Sequence, residues 1–406
     1  MKIKLHWQIL IAMAVGVMFA LGAGEHSSVV EPLGTIFFRL LKMVVVPLVI
    51  FSISAGVASV GNPKTLGRLG LKTVSYYLAT SLFAILIGLT LVNLVEPGKA
   101  ANVAEGKVGL PNTMKKPGSA TDLALRIIPD NPVAAAAEGD MLAIIFFCIL
   151  LGLALTQGPP AIREKLLPLI EAGFQVMMQL TQVIIKLAPL GVFGLMVKMV
   201  NQNMGAGFYK AVGLCMFTIA AGLTLHLLVI LPLIYFVFMK GNPMRHFSHM
   251  ASALATVFAT SSSLATLPVT LECVERNAGV SNKIAGFVLP MGATVNMDGT
   301  ALFECTGVLF IAQVLGIPLT MEQQALVVIT ALLASIGTAA IPSAGLVTIF
   351  IILDTIGLQG PLVPVVVGTM LAVDRPLDMY RGIINIFSDS VGAVIIAGSE
   401  GEIKVT

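Results

Sequence analysis

Charge is scarce in this chain: 11% of its 406 residues are Asp, Glu, Lys or Arg, against about 25% in an ordinary soluble domain. Residues that are 57% hydrophobic and a mean hydropathy of +0.95 leave more apolar surface than a water-soluble fold can cover, so the solvent is lipid. No basic stretch with interleaved aromatics accompanies the net charge of +3, which is spread through short loops, and this excludes nucleic acid as a partner. The four cysteines, Cys148, Cys215, Cys273 and Cys305, lack metal-ligand spacing and read as core filler. None of the five histidines, His6, His26, His226, His246 and His249, is spaced as a base for a serine nucleophile; they lie near loops or in an unrelated span. The chain is therefore not expected to be an enzyme.

What the chain does have is apolar runs of about 20 residues, long enough as helices to cross a hydrocarbon core of about 30 Å. The first, from Trp7 to Gly22, follows Lys2 and Lys4 but is too long for a signal peptide and has no small-residue cleavage site, so it reads as a spanning helix. Breaks rich in Gly, Pro or charge fall at Gly24–Glu31, Gly61–Lys72, Glu96–Asp140, Thr156–Lys165, Asn201–Lys210, Lys240–His249 and Glu272–Lys283. Assigning these loops alternately places Lys64, Arg68, Lys72, Arg163, Lys165, Lys240 and Arg245 on the side of Lys2 and Lys4. By the positive-inside rule that side is cytoplasmic, and the termini with it. The long outer loop mixes both signs of charge and blunts the bias without reversing it.

Residues up to about 240 predict six ordinary spans; beyond Ala251 polar residues and helix breakers enter apolar segments. Ser261, Ser262 and Ser263 with Pro268 interrupt one segment, Asn296, Asp298 and Gly299 the next, and Ser335 to Gly345 with Pro342 a third. Irregular backbone at membrane depth persists only where protein buries it or where it lines a wet cavity. Paired interruptions of this kind are the usual pointer to a transporter's binding site. A broken hairpin followed by a span occurs twice, at about 247–276 then 282–314, and about 322–355 then 362–396, which predicts an inverted repeat.

Along the last span, from Val363 to Ala397, Asp374, Asp378, Arg381, Asn385 and Asp389 share an arc of roughly 80° over roughly 22 Å of helix axis. Intramembrane charge costs at least about 2.5 to 3.5 kcal/mol per group, so this stripe faces protein, cations or substrate. An Asp378–Arg381 salt bridge at i, i+3 is the structural alternative, and it leaves Asp374 and Asp389 without partners. The planar fork of Arg381 suits a carboxylate, and Asp378 one turn earlier could hold an ammonium. Asn296, Asp298, Asn385 and Asp389 offer oxygen donors, which hard cations such as sodium prefer. The serine run taken alone reads as helix packing. A channel is the rival to a carrier, and paired breaks with an Arg–Asp clamp favour the carrier.

Four blocks, SSSLATLPVT at 261–270, LPMGATVNMDGTALFE at 289–304, ASIGTAAIPSAG at 334–345 and DRPLDMYRGIINIFSDS at 374–390, resemble the dicarboxylate/amino acid:cation symporters over essentially the whole chain. The family includes archaeal aspartate transporters, bacterial proton/glutamate symporters and mammalian excitatory amino acid transporters. The resemblance implies an all-α polytopic membrane protein of eight transmembrane helices and two re-entrant hairpins, assembled as a homotrimer in the cell (inner) membrane. It implies an elevator: a transport part (about 70–96 and 205–398) slides against a scaffold (about 1–69 and 140–200), with the second hairpin as gate. The implied activity is sodium-coupled uptake of acidic amino acids, with C4-dicarboxylates or another small anion as the alternative cargo, and with proton coupling open.

Carried over position by position, the resemblance implies that Arg381 takes the side-chain carboxylate and Asp378 the amine, while Asn385 and the backbone of Ser261, Ser262 and Ser263 take the main carboxylate. Thr300 and Gly345 would line the same pocket. One sodium site is similar to Gly292, Asn296, Asn385 and Asp389, and a second to Tyr77, Thr80, Ser81, Asn296 and Asp298. A third, under the second hairpin, would use Thr294, Ser335, Ile336 and Thr338. Glu304 lies where proton-coupled members carry glutamate; burial penalises the charged form of a carboxyl, so it could take a proton in one state and release it in another. Gly382 stands where aspartate- and glutamate-carrying members usually have threonine, and Ser388 where they usually have glycine. A glycine inside this stripe predicts a need for space beside Arg381, and with it a wider range of accepted acids.

Overall fold

A computed structural model of the chain describes residues 5–59, 63–101, 128–138, 140–201, 206–335, 344–358, 360 and 362–403. The described residues are almost wholly helical; outside helices they contain one isolated antiparallel bridge, Val280 to Ile403. In chain order the α-helices are α1 (Leu5–Ala23), α2 (Glu31–Ser59), α3 (Pro63–Val95), α4 (Pro132–Glu138), α5 (Met141–Gln157), α6 (Pro160–Lys186), α7 (Ala188–Asn201) and α8 (Ala206–Leu225). Then follow α9 (Leu231–Met239), α10 (Pro243–Thr260), α11 (Ser263–Glu272), α12 (Asn282–Val295), α13 (Asp298–Val314), α14 (Met321–Ser335), α15 (Ala344–Thr355) and α16 (Val363–Glu400).

Two expected loops are shorter than the composition suggests. The stretches 61–72 and 240–249 have the composition of breaks, yet α3 begins at Pro63 and α10 at Pro243. Proline has no N–H to lose and a φ preset for a helix, so at the first helical position it starts a helix instead of ending one. Asn242 completes the start of α10, its side-chain oxygen accepting from Met244 N at 2.9 Å.

Among the described residues, three helical stretches are long and apolar enough to cross a membrane on their own, Arg68–Val95, Ala206–Met239 and Asp374–Glu400. Pro160–Ile184 and Ala188–Lys198 meet the same criterion as a pair bent by 52°. The Ala206–Met239 stretch joins α8 to α9 through a π-turn at His226–Ile230, a local widening that recurs at functional sites.

Helices α1, α2, α5, α6 and α7 pack on one another, α2 touching α5, α6 and α7. Helix α13 is the centre of the remainder. It is buried along nearly its whole length, the polar Asp298, Thr300, Glu304 and Thr306 included, and it contacts α3, α8, α14, α15 and α16. Helix α16 also packs on α10, α11 and α12. It ends at Gly401, whose φ of 69° is the left-handed conformation that glycine adopts without strain. Just beyond, Glu402 pairs with Lys283 at 2.9 Å, and that ammonium holds its carboxyl below the usual range. The four cysteines are buried and free, in keeping with core filler.

Candidate functional site

The first interruption is built by the serines themselves. Ser261 takes φ 52°, and its N–H donates to Val257 O at 2.7 Å, which closes α10. Ser262 is extended and caps α11, its hydroxyl oxygen accepting from Ala265 N at 3.2 Å. Short side chains that bond their own backbone favour such caps over helix interiors. The second interruption lies between α12 and α13, where Asn296 and Met297 leave helical geometry and Asp298 opens α13. The third falls on residues 336–343, outside the described residues.

Helix α16 carries the polar stripe into these breaks. Arg381 is 2% exposed. Its guanidinium donates in bidentate fashion to Asp374 at 2.9 and 3.2 Å and also to Asp378 Oδ1 at 2.9 Å. The other Asp378 oxygen accepts from Arg375 Nη1 at 3.0 Å. The expectation that a salt bridge at i, i+3 leaves Asp374 unpaired is therefore corrected: the long Arg381 side chain reaches two turns back. Two arginines and two aspartates form one closed set of charge.

The Arg381 guanidinium also lies 4.0 Å from the centre of the Phe303 ring, within cation–π range. Thr300 and Phe303 stand against Gly345, where an added Cβ would meet Phe303 at 3.0 Å and Thr300 Cγ2 at 3.5 Å. Gly299 packs on the Arg381 backbone, and its N–H donates to Asn385 Oδ1 at 2.9 Å. The Asn385 amide nitrogen approaches Met297 Sδ at 3.0 Å. Thus Thr300, Gly345, Arg381 and Asn385 are brought together around α13 and α16. Gly382 joins them from the α10 side, but the space it leaves is taken: an added Cβ would lie 2.8 Å from Val257 Cγ2. The expectation of extra room for substrate is replaced by close packing of the first hairpin.

The oxygen-rich residues converge one to two turns further along. Asn296, fully buried, donates from Nδ2 to Asp389 Oδ1 at 2.8 Å and to Ser388 Oγ at 3.0 Å. Its Oδ1 is buried with no hydrogen-bond partner. Gly292 lies against Asp389 and the Tyr77 hydroxyl so closely that no side chain fits there. Tyr77 donates to Val288 O at 2.8 Å, Thr80 to Tyr77 O at 3.2 Å, and Ser81 to Asp298 Oδ1 at 2.7 Å. The first two sodium-site sets therefore meet around Asn296. Thr294 and Ser335 bond to carbonyls of their own helices, and Ile336 and Thr338 lie outside the described residues.

Two histidines set aside on sequence grounds have partners here. His226 Nε2 lies 3.1 Å from Asp298 Oδ2, both side chains fully buried, at the first residue of the π-turn. His246 Nε2 lies 2.9 Å from Ser390 Oγ and stacks on Tyr235. Neither has a sequence signal beyond a polar residue in an apolar helix, because each partner comes from a distant element.

Asp298 and Asp389 are both buried and electrostatically close. A buried carboxylate requires a positive partner or a proton. Among the described residues no group of three or more His, Cys, Asp or Glu could hold a metal ion. The carboxamide, hydroxyl and carboxylate oxygens around Asn296 suit a hard monovalent cation better than a transition metal.

The sequence profile of the sodium:dicarboxylate symporter family matches residues 5–399. The human excitatory amino acid transporter 3 is 33% identical over 97% of this chain and 86% of its own length. The human neutral amino acid transporter B(0) is 34% identical, covering 94% and 75%. The proton/sodium-glutamate symport protein of Bacillus subtilis is 32% identical, covering 98% and 94%. These relatives are transporters by name, and the enzyme class is set aside with them. A helical chain with buried charge at its helix breaks, matched over residues 5–399, belongs to the sodium:dicarboxylate symporter family.

Proposed function

We propose that the protein is a secondary transporter that carries an acidic amino acid, such as glutamate or aspartate, into the cell together with sodium. The observation that carries this is a guanidinium buried to 2% exposure at the junction of α13 and α16, with Asp298 and Asp389 buried on the same two helices. If Asp374 lets go of the guanidinium, another anion has to take its place, and Asp298 and Asp389 suit cations. The name of the Bacillus subtilis proton/sodium-glutamate symport protein supports this cargo and the coupling to sodium, whereas that of neutral amino acid transporter B(0) points to an uncharged amino acid. In this proposal the substrate carboxylate takes Arg381 donors now held by Asp374, the main carboxylate meets Asn385 and the Ser261–Ser263 backbone, and Asp298 and Asp389 each neutralise a sodium ion. Asn296 Oδ1, a buried acceptor without a donor, fits a cation ligand.

The wider frame is proposed with it: eight spans and two hairpins, a homotrimer in the cell membrane with cytoplasmic termini, and an elevator motion of a transport part against a scaffold. Mutual packing of α1, α2, α5, α6 and α7, which meet the helices around α13 mainly where α7 packs on α16, supports that division.

A second reading, transport of a C4-dicarboxylate, is favoured by Asp378. Both its oxygens are already engaged, by Arg381 and Arg375, so an ammonium would have to displace an arginine there, and a dicarboxylate needs no such site. Uptake by the Arg381→Ala variant tests the shared anion site. We expect at least about a thirtyfold loss of acidic-substrate affinity, in line with the 2–5 kcal/mol typical of truncating a buried charge pair. Wild-type affinity in that variant contradicts the anion site.

A further inference from the structure

Asn296 is held more tightly than a lone ligand on a helix break need be. Both hydrogens of its side-chain amide have acceptors, Asp389 Oδ1 at 2.8 Å and Ser388 Oγ at 3.0 Å. A carboxamide with one hydrogen bonded can still swing about its last torsion; with both bonded it cannot. Flipping the amide would place Asn296 Oδ1 against the Asp389 carboxylate, oxygen on oxygen, and would forfeit that bond, and the Ser388 hydroxyl would have to turn from acceptor to donor. The side-chain oxygen is thus held in one orientation, buried without a donor. A buried acceptor in that state is costly to the fold unless something positive meets it.

The second of those acceptors comes from a residue with no part in the site as derived so far. Ser388 is fully buried, and the Tyr76 hydroxyl donates to its carbonyl oxygen at 3.2 Å. Tyr76 packs edge-on to Tyr77, whose hydroxyl is tied to Val288 O at 2.8 Å. The Ser388 position is therefore braced by α3, which is tied in turn to α12, the helix that ends at Asn296. A serine hydroxyl accepts hydrogen bonds without bringing charge, so it fixes the amide without adding a third anion to Asp298 and Asp389.

We propose that Ser388 is a positioning residue for the co-transported cation: its hydroxyl takes the second amide hydrogen of Asn296 and so keeps Asn296 Oδ1 aimed at sodium. The proposal rests on the reading that Asn296 and Asp389 hold sodium. The chemistry asked of Ser388 is acceptor capacity at one point, not volume, and this separates it from a packing role. Loss of the hydroxyl frees the amide to turn, which weakens sodium binding and loosens the spacing that discriminates sodium from the smaller lithium ion.

The test uses the full-length protein in liposomes, with uptake activated by sodium or by lithium at saturating substrate, and with substrate titrated separately at saturating sodium. In Ser388→Ala the half-saturating sodium concentration rises about tenfold, the effect of one buried hydrogen bond to a ligand. The preference for sodium over lithium narrows, and substrate KM at saturating sodium stays within twofold of wild type. Ser388→Thr, and independently Ser388→Cys, which keeps a weaker acceptor with little change of volume, lie closer to wild type than Ser388→Ala. Asn296→Ala and Asp389→Asn report on the underlying site. If these two lose sodium activation while Ser388→Ala matches wild type, the sodium site stands and the role of Ser388 is overturned. If none of the variants shifts sodium activation, the site and the proposal fall together. If Ser388→Thr and Ser388→Cys both shift as far as Ser388→Ala, volume and not the hydroxyl is at work, and the proposal is overturned.

Discussion

Arg381 reaches two turns back along its own helix to Asp374, and this single contact changes what the polar stripe means. Neighbours at i, i+3 and i, i+4 are the pairs that sequence spacing makes obvious, so Asp378 was legible as a partner and Asp374 was not. Paired with both, Arg381 sits in a neutral set from which substrate must draw donors. Glu304 faces the same helix junction. It is fully buried, with Thr348 and the Arg381 guanidinium as polar neighbours, an arrangement suited to a carboxyl that gains and loses a proton during transport. Uptake by Glu304→Gln is expected to be flat across pH where wild-type uptake varies, with substrate binding retained. An unaltered pH profile in that variant contradicts a proton role.

At the scale of elements, the breaks in α10–α11 and α12–α13 were visible because polar and left-handed-tolerant residues stand out in apolar runs. Their partners were not visible. Tyr77 and Ser81 on α3 could be read only through the family resemblance, and His226 not at all, since its link to Asp298 depends on a π-turn and on folding α8 against α13. Val257 is the clearest case. It is an unremarkable apolar residue of α10, yet it fills the notch at Gly382, and its carbonyl fixes the left-handed turn at Ser261. Adding a side chain at 382 presses on that turn at a cost of about 1–3 kcal/mol. Gly382→Thr alone should therefore lower uptake of every substrate, and not merely narrow the range toward aspartate. Val257→Ala in the same chain should restore at least part of the loss. Additive losses in the double variant, measured as uptake per molecule in liposomes, contradict this coupling.

The whole molecule divides its burial unevenly. Helix α13, with Asp298 at its start and Glu304 two turns on, is sealed on all sides, whereas α6 and α8 leave large apolar side chains such as Val176 and Phe217 exposed. That exposure suits lipid or sister subunits. A homotrimer predicts a detergent-corrected protein mass three times the 42.6 kDa of one chain, as read by light scattering; a monomer mass at every protein concentration contradicts it. The proposed transport cycle is tested most directly by uptake into proteoliposomes. Purified protein under an inward sodium gradient should accumulate labelled aspartate or glutamate, with unlabelled aspartate, glutamate and succinate competing and neutral amino acids failing to compete. Replacing external sodium with potassium should abolish the signal. Equal uptake with potassium as the sole cation, or displacement by neutral amino acids and not by acids, would contradict sodium-coupled transport of an acid through Arg381.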